Sequence, residues 1–246
     1  MLVQYTFSLQ PERPCRVTPE LGYRFYSALL EQLPEEFGIR LHQNKINPIS
    51  QHFTADRAGR PQWRLTLSGE WYVNAAAPLL DSVDAFYIKH GVSRWDILER
   101  QVRCYDSVEE LLAAAEYAGK SWTLRFVTPT AFKRQGQITC LPEIRLIVQN
   151  LVRKWNACFP ECPIEDTDGE GVNALAQGLQ CVDFQLQTAS FRLKGSALRG
   201  FTGSLTLLNH LTGFHGQLAN ALLLFAECAG VGVKTTLGMG GVELVL

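Results

Sequence analysis

The chain has 246 residues, 46% of them hydrophobic and 19% charged, with a formal net charge of −1. Such a length and balance suit one large or two small globular domains and exclude a disordered, collagen-like or coiled-coil chain. The near-zero charge does not by itself announce a nucleic-acid partner, so any such evidence has to come from how the charge is distributed.

The opening "MLVQYTFSLQPERP" has neither a basic start nor a long apolar stretch, which argues against a signal peptide. The longest apolar helical run, "ALLLFAECAG", is about half of what a bilayer crossing needs, and a cytoplasmic location is expected. Seven scattered cysteines suit buried thiols in a reducing compartment. Cys158 and Cys162 lack a CxxC partner or a histidine cluster, so no metal and no cofactor is expected.

In chain order, "LVQYTFSLQ" alternates apolar and polar residues and predicts a strand. "TPELGYRFYSALLEQL" follows as an amphipathic helix, with Thr18 as its cap, Pro19 in the first turn and Leu21, Phe25, Leu29 and Leu33 on one face. "RPQWRLTLSGEWYV" predicts a strand. "AAPLLDSVDAFYIKHG" predicts a second helix ended by Gly91, and "RWDILERQVRCYD" another strand. A short helix, "SVEELLAAAEYAGK", leads to a second cycle. Its parts are a strand in "SWTLRFVTPTAF", a helix in "LPEIRLIVQNLVRKW", and two strands joined by a turn around Gly195 to Arg199. A helix in "GFHGQLANALLLFAECAG" and a last strand in "GGVELVL" complete it. Both halves read βαββαβ, so the expected class is α+β with two tandem ferredoxin-like, RRM-like domains, residues 1–118 and 119–246.

Charge is segregated within the second half. From Ser121 to Pro160 there are six bases and one acid, and from Glu161 to Ser190 six acids and no base. The stretch "ECAGVGVKTTLGMGGVEL" then sets five glycines around Lys234. It is not a P-loop, which needs GxxxxGK[ST] between a strand and a helix, nor a GxGxxG dinucleotide turn, because it lies between a helix and a strand. One lysine and two threonines amid bare backbone suit phosphates or single-stranded RNA. "RGFTGSLT" begins like the RNP1 pattern of RRM domains but departs from it at Thr202, so the usual aromatic stacking platform is not expected.

A helix, then "GxGxKTxxGxGG", then a terminal strand resembles the carboxy-terminal signature of the CRISPR-associated endoribonucleases that cut precursor crRNA at its repeats, members of the RAMP superfamily. "FVTPTAFKRQG", "FRLKGSALRGFTGSLTL" and "LHQNKINPISQHF" carry the resemblance over nearly the whole chain. The resemblance implies a metal-independent nuclease in which a 2′-hydroxyl attacks the adjacent phosphate, giving 2′,3′-cyclic phosphate or 3′-phosphate and 5′-hydroxyl ends. It also implies roles for residues. His42, in the "LH" dipeptide, matches the family's histidine and would act as general base or acid; Lys45 would offset charge on the phosphorane; Tyr26, or Tyr23, would position the sugar. His52 is the rival histidine on the same connecting segment. Lys133, Arg134, Lys194, Arg199, Gly230, Gly232, Lys234, Thr235, Gly238 and Gly240 are expected to hold the RNA. The expected partners are repeat RNA in precursor crRNA and other CRISPR effector subunits, with the chain a monomer or homodimer and no membrane involved.

Three other readings make distinct predictions. A catalytically inactive RAMP-fold RNA-binding subunit of an effector complex would bind without cutting. A nucleotide-binding enzyme would be stabilised by ATP and magnesium. A ligand-free interaction module would show no salt-dependent RNA affinity.

Overall fold

The computed structural model describes residues 1–89, 94–116, 119–193 and 195–245. Strand β1 (Leu2–Pro11) alternates as its pattern predicts, sending Val3, Tyr5, Phe7 and Leu9 into one core. The elements that follow are α1 (Leu21–Leu30), α2 (Glu35–Gln43), β2 (Ile49–Ala55), β3 (Pro61–Ser68), α3 (Glu70–Ser82), β4 (Ala85–Tyr87) and β5 (Arg94–Tyr105). The strands form one antiparallel sheet in the order β2-β3-β1-β5-β4. Without the edge strand β4 this is the ferredoxin-like order. Phe25 of α1 is its keystone, with ring centroids 4.8 Å from Phe53, 5.3 Å from Trp63 and Trp95 and 5.6 Å from Phe86.

The second half repeats the plan. After α4 (Val108–Glu116) come β6 (Ser121–Thr130), a small hairpin of β7 (Phe132–Arg134) and β8 (Gln137–Thr139), α5 (Ile144–Cys158) and α6 (Glu170–Gln177). Then follow β9 (Leu179–Leu193), β10 (Ser196–Asn209), α7 (Gly213–Ala229), a 3-10 turn (Thr235–Leu237) and β11 (Val242–Val245). The sheet runs β11-β6-β10-β9, all antiparallel, and α5 and α7 meet over it, with Trp155 and Phe225 5.6 Å apart. Linker helix α4 buries Leu111 and Ala115 in this second core. No helix among the described residues is long and apolar enough to cross a membrane.

Several expectations need correction. Helix α1 starts at Leu21, and it is the backbone carbonyls of Thr18 and Pro19, at 3.1 Å each, that accept its first amides; no side chain caps it. The second predicted helix runs earlier than its sequence suggests. Gly69, with φ +91°, opens α3 and the helix stops at Ser82, because Phe86 is needed in the core beside Phe7 and Ala85–Tyr87 pairs with β5. Gly91, expected to end that helix, lies outside the described residues. Helix α6 arises within the acidic stretch, where Asp166 accepts the amides of Gly171 and Val172 at 2.8 and 3.1 Å. Strand β10 begins earlier than expected, since Ser196 already pairs with Leu193. Phe201, the aromatic of "RGFTGSLT", packs inward on Phe126, 4.8 Å away, so it offers no stacking surface.

The two halves are joined by polar contacts. Gln4 donates to the Glu227 carbonyl at 3.1 Å, Gln51 to the Thr236 carbonyl at 3.0 Å, and Thr236 Oγ1 to the Ile49 carbonyl at 2.9 Å. Glu227 of α7 takes Arg103 at 2.7 Å and Arg64 at 3.4 Å, both from the first sheet.

Candidate nucleic-acid interface and cleavage site

His42 does not lie on a bare connecting segment. It stands, exposed, in the last turn of α2, a helix whose first turn carries Glu35 and Glu36 and whose last turn carries Arg40 and His42, the arrangement its dipole favours. The chain then leaves the helix through Asn44, whose side-chain amide donates to the Arg40 carbonyl at 2.8 Å and to the Tyr72 hydroxyl at 2.6 Å. Asn47 Oδ1 accepts the Ile49 amide at 2.9 Å and so pins the entry to β2. Tyr26 backs this segment from the core. It is buried, burial pushes its phenol up to about 12, and a hydrogen bond with Asn47 pulls the other way.

Lys45 is exposed and lines a cavity of about 370 Å³ between the two halves. Among the described lining residues are four bases, Lys45, Arg153, Lys154 and Lys234, and no acid. Arg153 and Lys154 come from α5, Lys234 from the glycine-rich segment. A smaller adjoining cavity of about 90 Å³ shares Arg153 and Gly232 and reaches Lys133 on β7.

Lys154 was not foreseen as part of any site. It sits on the apolar stripe of α5, one turn after Leu151, and is buried with it. Its ammonium donates to the carbonyls of Ala229 and Gly230 at 2.7 and 3.0 Å and to Thr235 Oγ1 at 3.0 Å. It thereby ties the end of α7 to the glycine-rich segment. Burial lowers its pKa to about 7. A lysine interrupting an otherwise apolar helical stripe was the signal available in the sequence.

The glycine-rich segment corrects the expectation of bare backbone open to RNA. Gly230, Gly232, Gly238 and Gly240 are buried, and all have positive φ, from +63° to +107°. A Cβ on Gly232 would stand 2.3 Å from the Ala131 carbonyl oxygen, and one on Gly240 2.0 Å from that of Val231. The amides of Val231, Val233, Gly240 and Gly241 are spent on Gly240, Ala131, Pro129 and Thr128 respectively, and that of Gly232 on Asn150 Oδ1 at 2.7 Å. Thr235 is buried against Lys154. Lys234, exposed and left-handed at φ +57°, is the part of the segment that faces outward.

Three of the four remaining expected residues are exposed in the second half. Lys133 and Arg134 are exposed on the β7–β8 hairpin, Arg134 paired with Glu143 at 2.7 Å, and Arg199 is exposed on β10. Lys194 lies outside the described residues.

His52 is not on the segment expected for it either. It is part of β2, buried beneath Gly241, whose missing Cβ would lie 2.5 Å from its ring. Its Nε2 has no hydrogen-bond partner among the described residues. Burial, and then Arg64, push its pKa down to about 3. A neutral, sealed imidazole cannot exchange protons with a substrate. Among the described residues no group of three or more His, Cys, Asp or Glu could hold a metal ion.

The family model described as CRISPR-associated endoribonuclease Cas6 matches residues 124–242. The chain is 27% identical to a CRISPR-associated endoribonuclease Cas6 of Mycobacterium tuberculosis over 99% of this chain and 78% of the relative. It is also 27% identical to one of Streptococcus thermophilus, over 92% of this chain and 91% of the relative. Among solved structures it resembles a Cas6 product complex with a TM-score of 0.77 and 22% identity over all of both chains. It also resembles a Thermus thermophilus Cas6 with a TM-score of 0.69 and 25% identity over 100% of this chain and 98% of that one.

Proposed function

We propose that the chain, which is similar to CRISPR-associated endoribonucleases Cas6, belongs to that family and cuts CRISPR repeat RNA within precursor crRNA, without a metal ion, to release mature crRNA for antiviral defence. The observation that carries this reading is an exposed histidine, His42, three residues before Lys45, which lines an interdomain cavity whose described lining residues include four bases and no acid. His42 takes the proton of the 2′-hydroxyl as its oxygen bonds to phosphorus, or returns one to the 5′-oxygen as the P–O5′ bond breaks. Lys45 stabilises the extra charge of the phosphorane between those events. The products carry a 2′,3′-cyclic phosphate and a 5′-hydroxyl. Tyr26 acts from behind, holding Asn47 and with it the segment that carries Lys45, so its contribution is to position the site.

In this reading Lys133, Arg134, Lys194, Arg199 and Lys234 contact RNA phosphates. Gly230, Gly232, Gly238, Gly240 and Thr235 shape the segment that presents Lys234. The division into residues 1–118 and 119–246 is proposed as the domain boundary, with α4 the connector, and the cytoplasm as the place of action. The test is incubation of the purified protein with its host's repeat RNA in excess EDTA. A single cut leaving a cyclic phosphate supports the reading. A cut that needs added magnesium, or binding with no cut, contradicts it.

A further inference from the structure

Lys154 presents a problem of charge. The three N–H groups of its buried ammonium are satisfied by two carbonyls and a hydroxyl, all neutral, so its hydrogen bonds are complete and only a counter-charge is missing. No described ion pair involves it, and no described acidic residue lines the cavity onto which it opens. The other bases of that cavity, Lys45, Arg153 and Lys234, are exposed side chains from three different elements that converge on one opening. The cavity thus has a buried basic floor, an exposed cationic rim, and room for a group of a few heavy atoms. An anion seated there would supply the counter-charge that the protein omits, and Arg153 could grip it with the planar fork that suits a phosphate.

We propose that this cavity is a phosphate-binding subsite, in which Arg153 and Lys234 contact a phosphate group of the RNA backbone above the ammonium of Lys154. The assignment of RNA as the source of the phosphate rests on the function proposed above. The subsite itself rests on the cavity. It adds α5 to the RNA-binding surface and gives Lys154 a second task besides bracing the glycine-rich segment.

The experiment measures repeat-RNA affinity at several salt concentrations for wild type, Arg153→Ala, Lys154→Met and Arg145→Ala. In parallel, thermal stabilisation by inorganic phosphate and pyrophosphate is recorded for each. Arg145 is the control, an exposed base of α5 turned to Asn173 at 2.6 Å and absent from the cavity. Arg153→Ala should weaken RNA binding about 10-fold and lower the salt slope by about one, while Arg145→Ala leaves both unchanged. Arg153 is a surface side chain, so its loss leaves the fold intact even where Lys154→Met does not. Wild-type affinity and slope in Arg153→Ala would overturn RNA as the occupant. Stabilisation of wild type by phosphate or pyrophosphate, lost in Arg153→Ala, would then retain the subsite for a free phosphate. With neither effect the subsite itself is refuted. Failure of wild type to bind repeat RNA at all would instead count against the proposed function, and the phosphate measurements alone would decide the subsite.

Discussion

His42 and His52 show how environment divides two chemically identical side chains. His42 is at an exposed helix end where it can meet a substrate. Replacing it by alanine should slow single-turnover cleavage of repeat RNA by about 10²- to 10⁴-fold, with RNA affinity held within about 2-fold. Equal loss in affinity would make it a binding residue. His52 is held neutral in the fold, so its effect is on stability and its sign is fixed. Its folded pKa, about 3, lies below its ordinary 6.5, so the unfolded chain takes up the proton first and stability falls as pH drops through 6.5 towards 3. Wild type should lose on the order of 3 kcal/mol from this group by about pH 4. His52→Gln should flatten that part of a stability-against-pH curve measured by urea unfolding. A curve that keeps its acid slope would show that His52 is solvated.

At the scale of elements, the glycine-rich segment is a packed joint rather than an open loop. Its glycines are required by backbone that passes too close for any Cβ. Gly232→Ala should therefore cost about 2–4 kcal/mol in a denaturant melt, far more than an alanine costs on an exposed turn. A shift below about 0.5 kcal/mol would contradict the close approach to Ala131. The sequence displayed the spacing of these glycines but not their direction, because bare backbone suits a ligand and a tight interior equally well. Two other elements were illegible for definite reasons. Helix α2 buries only Phe37 and Leu41, too few for a periodic signal. Strand β2 carries Ser50, Gln51 and His52, all buried, because it is covered on one face by its own core and on the other by the second half. Its polar face therefore reads as loop.

At the scale of the whole molecule, the twin ferredoxin-like sheets were legible because alternation in β1, β5 and β6 and the four-residue stripes of α1 and α5 are local patterns. How the halves meet was not, since Gln4, Gln51, Arg64, Arg103 and Glu227 acquire their meaning only across the interface. Glu227 is its centre, with a side chain 13% exposed and arginines from both β3 and β5 upon it. Glu227→Gln leaves those arginines short of a charge and should cost about 2 kcal/mol in urea unfolding. An unchanged midpoint would show that the halves do not depend on it. The joint brings Lys45 from one half to the same cavity as Lys234, Arg153 and Lys154 of the other, and the proposed function depends on that meeting. The central claim is that such an assembly makes the RNA cut itself. The measurement that tests it most directly is single-turnover cleavage of repeat RNA carrying one 2′-deoxy nucleotide at the scissile position, with EDTA present. The account predicts tight binding and no cut, beside full cutting of the all-ribose RNA. Cleavage of the deoxy substrate at the same bond would contradict it, since the nucleophile would then come from elsewhere.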